Sequence, residues 1–265
     1  MDLACYRKFT DELIVSLRCR HEVLALIALG SMAETGTFPD AWSDHDFFVI
    51  TTPGTEEQLR RQLDWLPRHE EIAVSIRETE HGIKVLYQDS HLLEFAVFTP
   101  QQLQVASINQ FRILFSHLPL DAVLADLATR SADHARAETA DPATLLGLFL
   151  CNLQVGYGRY QRGEHLSGHL FVKSHAFSQV LRLFHVLGRQ VSGARSDNLN
   201  PARRFAEAFP GPAVELEAAL CLPVPQAAQE LLRIVRDSLL SHHPEISLAG
   251  IEVLERYLSR PKIPE

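Results

Sequence analysis

The sequence predicts an α+β fold on three observations. Strand-like runs alternate with helical patterns through residues 1–118, and helical periodicity alone fills the text from about 143 to Arg260. Between them Ser131–Thr139 is polar and poor in large apolar residues, as a linker is. A first domain of mixed strands and helices over 1–130 and a helical bundle over 141–265 follow, and 265 residues suffice for two modest cores.

In the first half, a helix over about Ala4–Arg18 sets Leu13, Ile14 and Leu17 on one face. Val23–Gly30 is a compact apolar run closed by glycine and reads as a buried strand. Asp46–Thr51, aromatic and β-branched, reads as a second. Thr55 followed by Glu56, Glu57 and an apolar-periodic tail to Leu66 reads as a capped helix. Ile72–Ile76, Ile83–Tyr87 and Leu92–Phe98 read as strands, the last two joined by a turn at Gln88–Ser90. In the second half, Asp141 and Pro142 look like an N-cap with Pro at the first helical position. Helices are expected at about 143–163, 167–188, 201–208, 225–240 and 244–259, with Gly163, Gly188, Pro210 and Pro223 as punctuation.

Composition narrows the function classes. Lys and Arg number 25 against 33 Asp and Glu, a net charge of −8, so no basic surplus drives binding to a phosphate backbone. A nucleic-acid partner is disfavoured and a small-molecule enzyme preferred. Cys5, Cys19, Cys151 and Cys221 are scattered, as reduced and mostly buried thiols would be, which suggests the cytoplasm. The N-terminus has no apolar signal-like core, and the longest apolar stretches, Val23–Leu29 and Leu145–Val155, fall short of the ~20 residues of a membrane span.

The chemistry concentrates in residues 23–98. A buried strand ends in Gly30-Ser31, where glycine lets the backbone approach a ligand and a helix starting at Ser31 offers free N–H groups to phosphate. After a twelve-residue spacer come Asp44 and Asp46, which at a period of two share one face of the next strand while His45 points to the other. Two carboxylates so close repel unless a cation neutralises them, and oxygen ligands favour Mg²⁺ or Mn²⁺. Glu94 sits centrally in the apolar strand 92–98; placing that strand beside 46–51 brings three carboxylates towards one metal site. Taken singly, the aspartates read as turn residues and Glu94 as a salt-bridged edge-strand residue; the joint pattern favours metal ligation.

Gly30-Ser31, the spacer, Asp44-x-Asp46 and the apolar-flanked Glu94 together resemble the signature of the DNA polymerase β-like nucleotidyltransferases. Within that superfamily a small catalytic domain followed by helices is most similar to the antibiotic enzymes, lincosamide first and aminoglycoside next. The resemblance implies Mg²⁺-dependent transfer of a nucleoside monophosphate from a nucleoside triphosphate to a hydroxyl of a small molecule, releasing pyrophosphate. It also implies that Asp44 and Asp46 hold the metal, that Glu94 completes the metal site or acts as general base, that Gly30 and Ser31 hold the terminal phosphates, and that a homodimer is one assembly open to the chain. Two positions depart from the pattern. His45 stands where an apolar residue is usual, and is expected to hydrogen-bond against the following helix. Glu34 stands where relatives carry a cation for the triphosphate, so Lys173 or Arg162 is a candidate substitute. A protein-modifying nucleotidyltransferase of antitoxin type and a non-catalytic binding protein on the same fold stay open as alternatives.

Three further features are weighed. Trp42 could stack on a base or a substrate ring, or pack the loop onto the sheet. His165 and His169 lack the Cys or carboxylate that would complete a zinc set. Arg236 and His242 resemble the Arg-polar-x4-His signature of HEPN-type ribonucleases, although cations near a helix end serve equally to complement its dipole.

Overall fold

A computed structural model describes residues 2–35, 38–138, 141–195 and 197–260. The fold is α+β: a mixed six-stranded sheet with helices, followed by a helical region. The chain divides into two compact units, Met1–Ala132 and Asp133–Glu265.

In the first unit α1 (Leu3–Arg18) leads into β1 (Val23–Leu29), and β2 (His45–Thr51) follows a long loop. After α2 (Glu56–Arg61) come β3 (Ile72–Arg77), β4 (Gly82–Tyr87), β5 (Leu92–Phe98) and β6 (Phe111–Ser116). The spatial order is β3-β4-β5-β2-β1-β6, with β2 and β5 parallel and every other neighbouring pair antiparallel. Alternation along the strands feeds two cores. On one face Phe47, Val49, Phe95 and Val97 pack with Phe9, Leu13 and Leu17 of α1. On the other, Ile27, Ile50, Ala96 and Phe98 pack with Leu124 and Leu127 of α3 (Asp121–Glu138).

Several elements differ from the sequence expectation, each for a local reason. The expected linker 131–139 continues α3 to Glu138: Ser131 anchors it by accepting from Ile108 N at 3.0 Å, and alanine-rich text propagates a helix without an apolar face. Residue 139 lies outside the described residues. The helix expected from Thr55 to Leu66 stops at Arg61. Thr55 Oγ1 donates to Thr52 O at 2.8 Å instead of capping, and Trp65 Nε1 donates to Leu59 O at 2.9 Å, folding Trp65 and Leu66 into the core. β6 and α8 (Pro210–Cys221) have no counterpart in the sequence reading, and α8 has Pro210 at its first position, where a missing N–H costs nothing.

The second unit is helical. Asp141 caps α4 (Pro142–Gln161) by accepting from Ala143 N and Thr144 N, as its sequence suggests. α5 (His165–Leu170) runs through a π-helical turn, Phe171–Ala176, into α6 (Phe177–Leu187). A Cβ on Gly156 of α4 would lie 2.8 Å from Phe171 Cβ, so glycine permits that close crossing. After α7 (Phe205–Ala208) and α8 come α9 (Val224–Ile234) and α10 (Ala249–Leu258), with Phe149, Leu153, Phe184, Leu231 and Ile251 in the shared core. The four cysteines are free and exposed, not buried: two belong to the surface of α1 and its end, one to the outer side of α4 and one closes α8. Among the described residues no helix is long and apolar enough to cross a membrane.

Candidate functional site

The end of β1 and the starts of β2 and β5 gather the first-unit residues singled out by sequence. β1 is antiparallel to β2, so its C-terminal end meets the N-terminal end of its neighbour. There Gly30 turns the chain with φ +50, a conformation that L side chains rarely adopt, and a Cβ on it would lie 3.3 Å from Asp46 Oδ2. Glycine thus lets the backbone press against a carboxylate. The helix expected at Ser31 is a single 3-10 turn, Gly30–Ala33, ending in left-handed Glu34 at φ 54. Four residues carry no useful helix dipole, so any anion affinity rests on the backbone corner and the Ser31 hydroxyl.

Asp44 immediately precedes β2, and Asp46 is its second residue; both are half-buried. The Tyr6 hydroxyl donates to Asp44 O at 2.9 Å and so ties α1 to this segment. Burial raises the Tyr6 pKa, the Ser31 hydroxyl beside it pulls the other way, and the negative charges of Asp44, Asp46 and Glu34 add to the rise. Tyr6 is therefore a protonated donor, a role that sequence reasoning missed.

β5 lies beside β2 as expected, with Asp46 in register with Glu94. The convergence of three carboxylates is where the structure departs. Glu94 is in register with Lys84 of β4, and Lys84 Nζ is 3.1 Å from Glu94 Oε1 and 3.0 Å from Glu78 Oε1. These two carboxylates raise the Lys84 pKa. Among the described residues no three His, Cys, Asp or Glu side chains are gathered closely enough to hold a metal ion. Asp46 against the Gly30 corner and Asp44 two residues before it are oxygen donors of the kind a hard divalent cation takes, while Glu94 is matched to an internal ammonium. Lys84 was visible in the sequence only as one lysine in a strand, because its significance comes from the register.

His45 points away from Asp46, as alternation requires, but its partners lie on α1 and at the residue before β5 rather than on the following helix. It stacks on Tyr6 with ring centroids 3.8 Å apart, contacts Thr10 Oγ1 at 2.9 Å through Nε2, and meets His91 Nε2 at 2.7 Å through Nδ1. Burial pushes His45 down to about 3, with the facing His91 adding to the effect, and burial pushes His91 down to about 4.

Glu34 does not present a bare charge: Arg112 Nη2 lies 3.2 Å from its carboxylate and also donates to Met32 O at 3.1 Å. The two candidate substitutes belong to the second unit. Lys173 Nζ donates to Leu220 O at 2.7 Å, in the last turn of α8, where a cation complements the helix dipole. Arg162 pairs with Glu164 at 3.0 Å. Arg236 is paired with Asp237 and Glu255, and His242 Nδ1 meets Ser241 Oγ at 3.0 Å. His165 and His169 flank the ring of Tyr160, with centroids 4.5 and 6.0 Å away. Trp42 does not pack the loop onto the sheet; it is 94% exposed.

No family model matches the chain, and no curated protein matches it. Solved structures do. An aminoglycoside 6-adenyltransferase from Bacillus subtilis is similar at 10% identity and a TM-score of 0.35, covering 94% of this chain and 95% of that one. The CdnE cyclic dinucleotide synthase of Elizabethkingia meningoseptica, solved with GTP and Apcpp, is similar at 14% identity and a TM-score of 0.31, covering 98% and 93%. A CdnC:HORMA-deltaN complex from E. coli MS115-1 is similar at 14% identity and a TM-score of 0.29, covering 88% and 89%.

Proposed function

We propose that the first unit binds a divalent metal and a nucleoside triphosphate and transfers the nucleoside monophosphate to a hydroxyl of a small molecule. The observation that carries this reading is the Gly30 corner pressed against Asp46, with Asp44 alongside and Glu94 one strand away in register. In the reaction the acceptor oxygen bonds to the α-phosphorus, the bond to the bridging oxygen breaks, and pyrophosphate leaves with that oxygen's charge. A Mg²⁺ ion on Asp44 and Asp46 would neutralise triphosphate charge and bring acceptor and α-phosphate together.

The chain's own residues supply positioning. Tyr6 holds the Asp44 carbonyl, fixing the backbone from which both aspartates project. Gly30 and Ser31 offer a side-chain-free corner and a hydroxyl to terminal phosphates. Glu94 is assigned to the acceptor side, where it accepts the hydroxyl proton or completes the metal site once Lys84 yields it. Lys173 belongs to the second unit, where its ammonium is engaged at Leu220, and is given no role at this corner. The Glu34–Arg112 pair supports the enzyme reading over a binding protein, because it removes the reversed charge that would discourage a triphosphate.

The test incubates the protein with Mg²⁺, each of the four nucleoside triphosphates, and a panel of aminoglycosides and lincosamides. A mass increase of one nucleoside monophosphate on a panel member, lost in Asp44→Asn, is the expected result. An adduct on protein alone would assign the activity to protein modification, and no adduct with no triphosphate binding would sink both.

A further inference from the structure

The loop ahead of Asp44 displays an aromatic ring that the fold does not use. The chain has two tryptophans. Trp65 is 1% exposed and belongs to the sheet core, whereas Trp42 is 94% exposed and its ring makes no aromatic contact among the described residues. Its position is nonetheless held. Asp40 Oδ1 accepts from Trp42 N at 2.8 Å and from Ser43 Oγ at 3.2 Å. Ser43 Oγ accepts from Asp40 N at 2.9 Å, and Ser43 N donates to Asp40 O at 3.2 Å. Within this closed turn the Trp42 side chain faces solvent. Downstream, Tyr6 pins Asp44, so the turn is tethered on its site side. Two residues of extended chain span at most ~7 Å, which keeps the Trp42 backbone within that distance of Asp44.

We propose that Trp42 is the stacking platform for the nucleobase of the triphosphate bound at Asp44 and Asp46; this inference rests on the reading of that site as a triphosphate site. A flat, solvent-facing indole recognises a π-face. Every nucleobase presents one, whereas the hydroxylated acceptors proposed above are largely saturated. Because each base has a π-face, Trp42 favours nucleotides as a class without choosing among them.

The intact protein contains its own probe, since the exposed Trp42 emits to the red of the buried Trp65. In Mg²⁺, each of the four nucleoside triphosphates and inorganic tripolyphosphate are titrated separately, with calorimetry alongside. The expected result is quenching of the red-edge emission by at least one nucleoside triphosphate and none by tripolyphosphate. Trp42→Ala should weaken nucleotide binding about tenfold and leave tripolyphosphate affinity unchanged, while Trp42→Phe keeps most of the affinity. Calorimetric nucleotide binding with unchanged emission and unchanged Trp42→Ala affinity would overturn the stacking role and leave the site standing. Equal quenching by tripolyphosphate would overturn it too. Binding of neither ligand would overturn the site reading and this inference together.

Discussion

At the scale of single residues, the informative one is Lys84. It lies across from Glu94, and Glu94 across from Asp46, so one cation and two carboxylates form a row over three strands. The ammonium at 3.1 Å gives Glu94 a counter-charge that a metal would otherwise supply. Lys84→Met should release that carboxylate and tighten Mn²⁺ binding by about tenfold, equivalent to ~1.4 kcal/mol, in an electron paramagnetic resonance titration. Unchanged or weaker binding would mean that Lys84 does not compete with the ion. Asp44, Asp46, Glu94 and the Gly30 corner were legible in the sequence because each breaks a local rule: acid where strands are apolar, glycine where a strand ends. Lys84 and Tyr6 were not, because a lysine in one strand and a tyrosine in a helix break none; only the pairing across 10 and 38 residues gives them work.

At the scale of elements, the site depends on how α1, β2 and β5 are joined behind it. His45 and His91 meet at 2.7 Å within the core between α1 and the sheet, with Phe9 edge-on to His91 and Tyr6 stacked on His45. Tyr87 stacks on His91, while Asp89 and Arg68 act on it in opposite senses. Both imidazoles are held neutral, with pKa values depressed from 6.5 to about 3 and about 4. The unfolded chain therefore binds protons that the folded one refuses. Stability contributed by the pair is complete above about pH 6.5 and is lost as pH falls towards 4, at up to ~1.4 kcal/mol per pH unit for each imidazole. Urea unfolding of the whole protein, followed through the buried Trp65, should show this slope, and His91→Gln should reduce it by about one proton. An unaltered slope in that variant would remove the histidine pair as its source. Strand alternation made the orientation of His45 readable from sequence. Its partner was not, because α1 precedes β1 by the chain yet covers the face to which β2 turns its odd residues. The helical end of α3 escaped for a different reason: polarity signals solvent exposure, and exposure does not end an alanine-rich helix.

At the scale of the whole molecule, the chain is two units of different character, and the chemistry proposed for it is concentrated in the first. The net charge of −8 has a local meaning there. Part of the acid is Asp46, held against the Gly30 corner, with Asp44 two residues before it, and part is neutralised internally, Glu34 by Arg112 and Glu94 by Lys84. The fold class was accessible from periodicity, since alternation and helical spacing are sequence properties; the strand order was not, because β6, the neighbour of β1, went unread. Whether Asp44 and Asp46 take a metal-bound triphosphate is decided by calorimetric titration of Mg²⁺ with each nucleoside triphosphate into the full chain and into Asp46→Asn. The site described above gives saturable binding of at least one triphosphate by the natural protein, weakened tenfold or more in the variant at an unchanged melting temperature. Equal affinity in both proteins, or no binding by the natural protein, would contradict it.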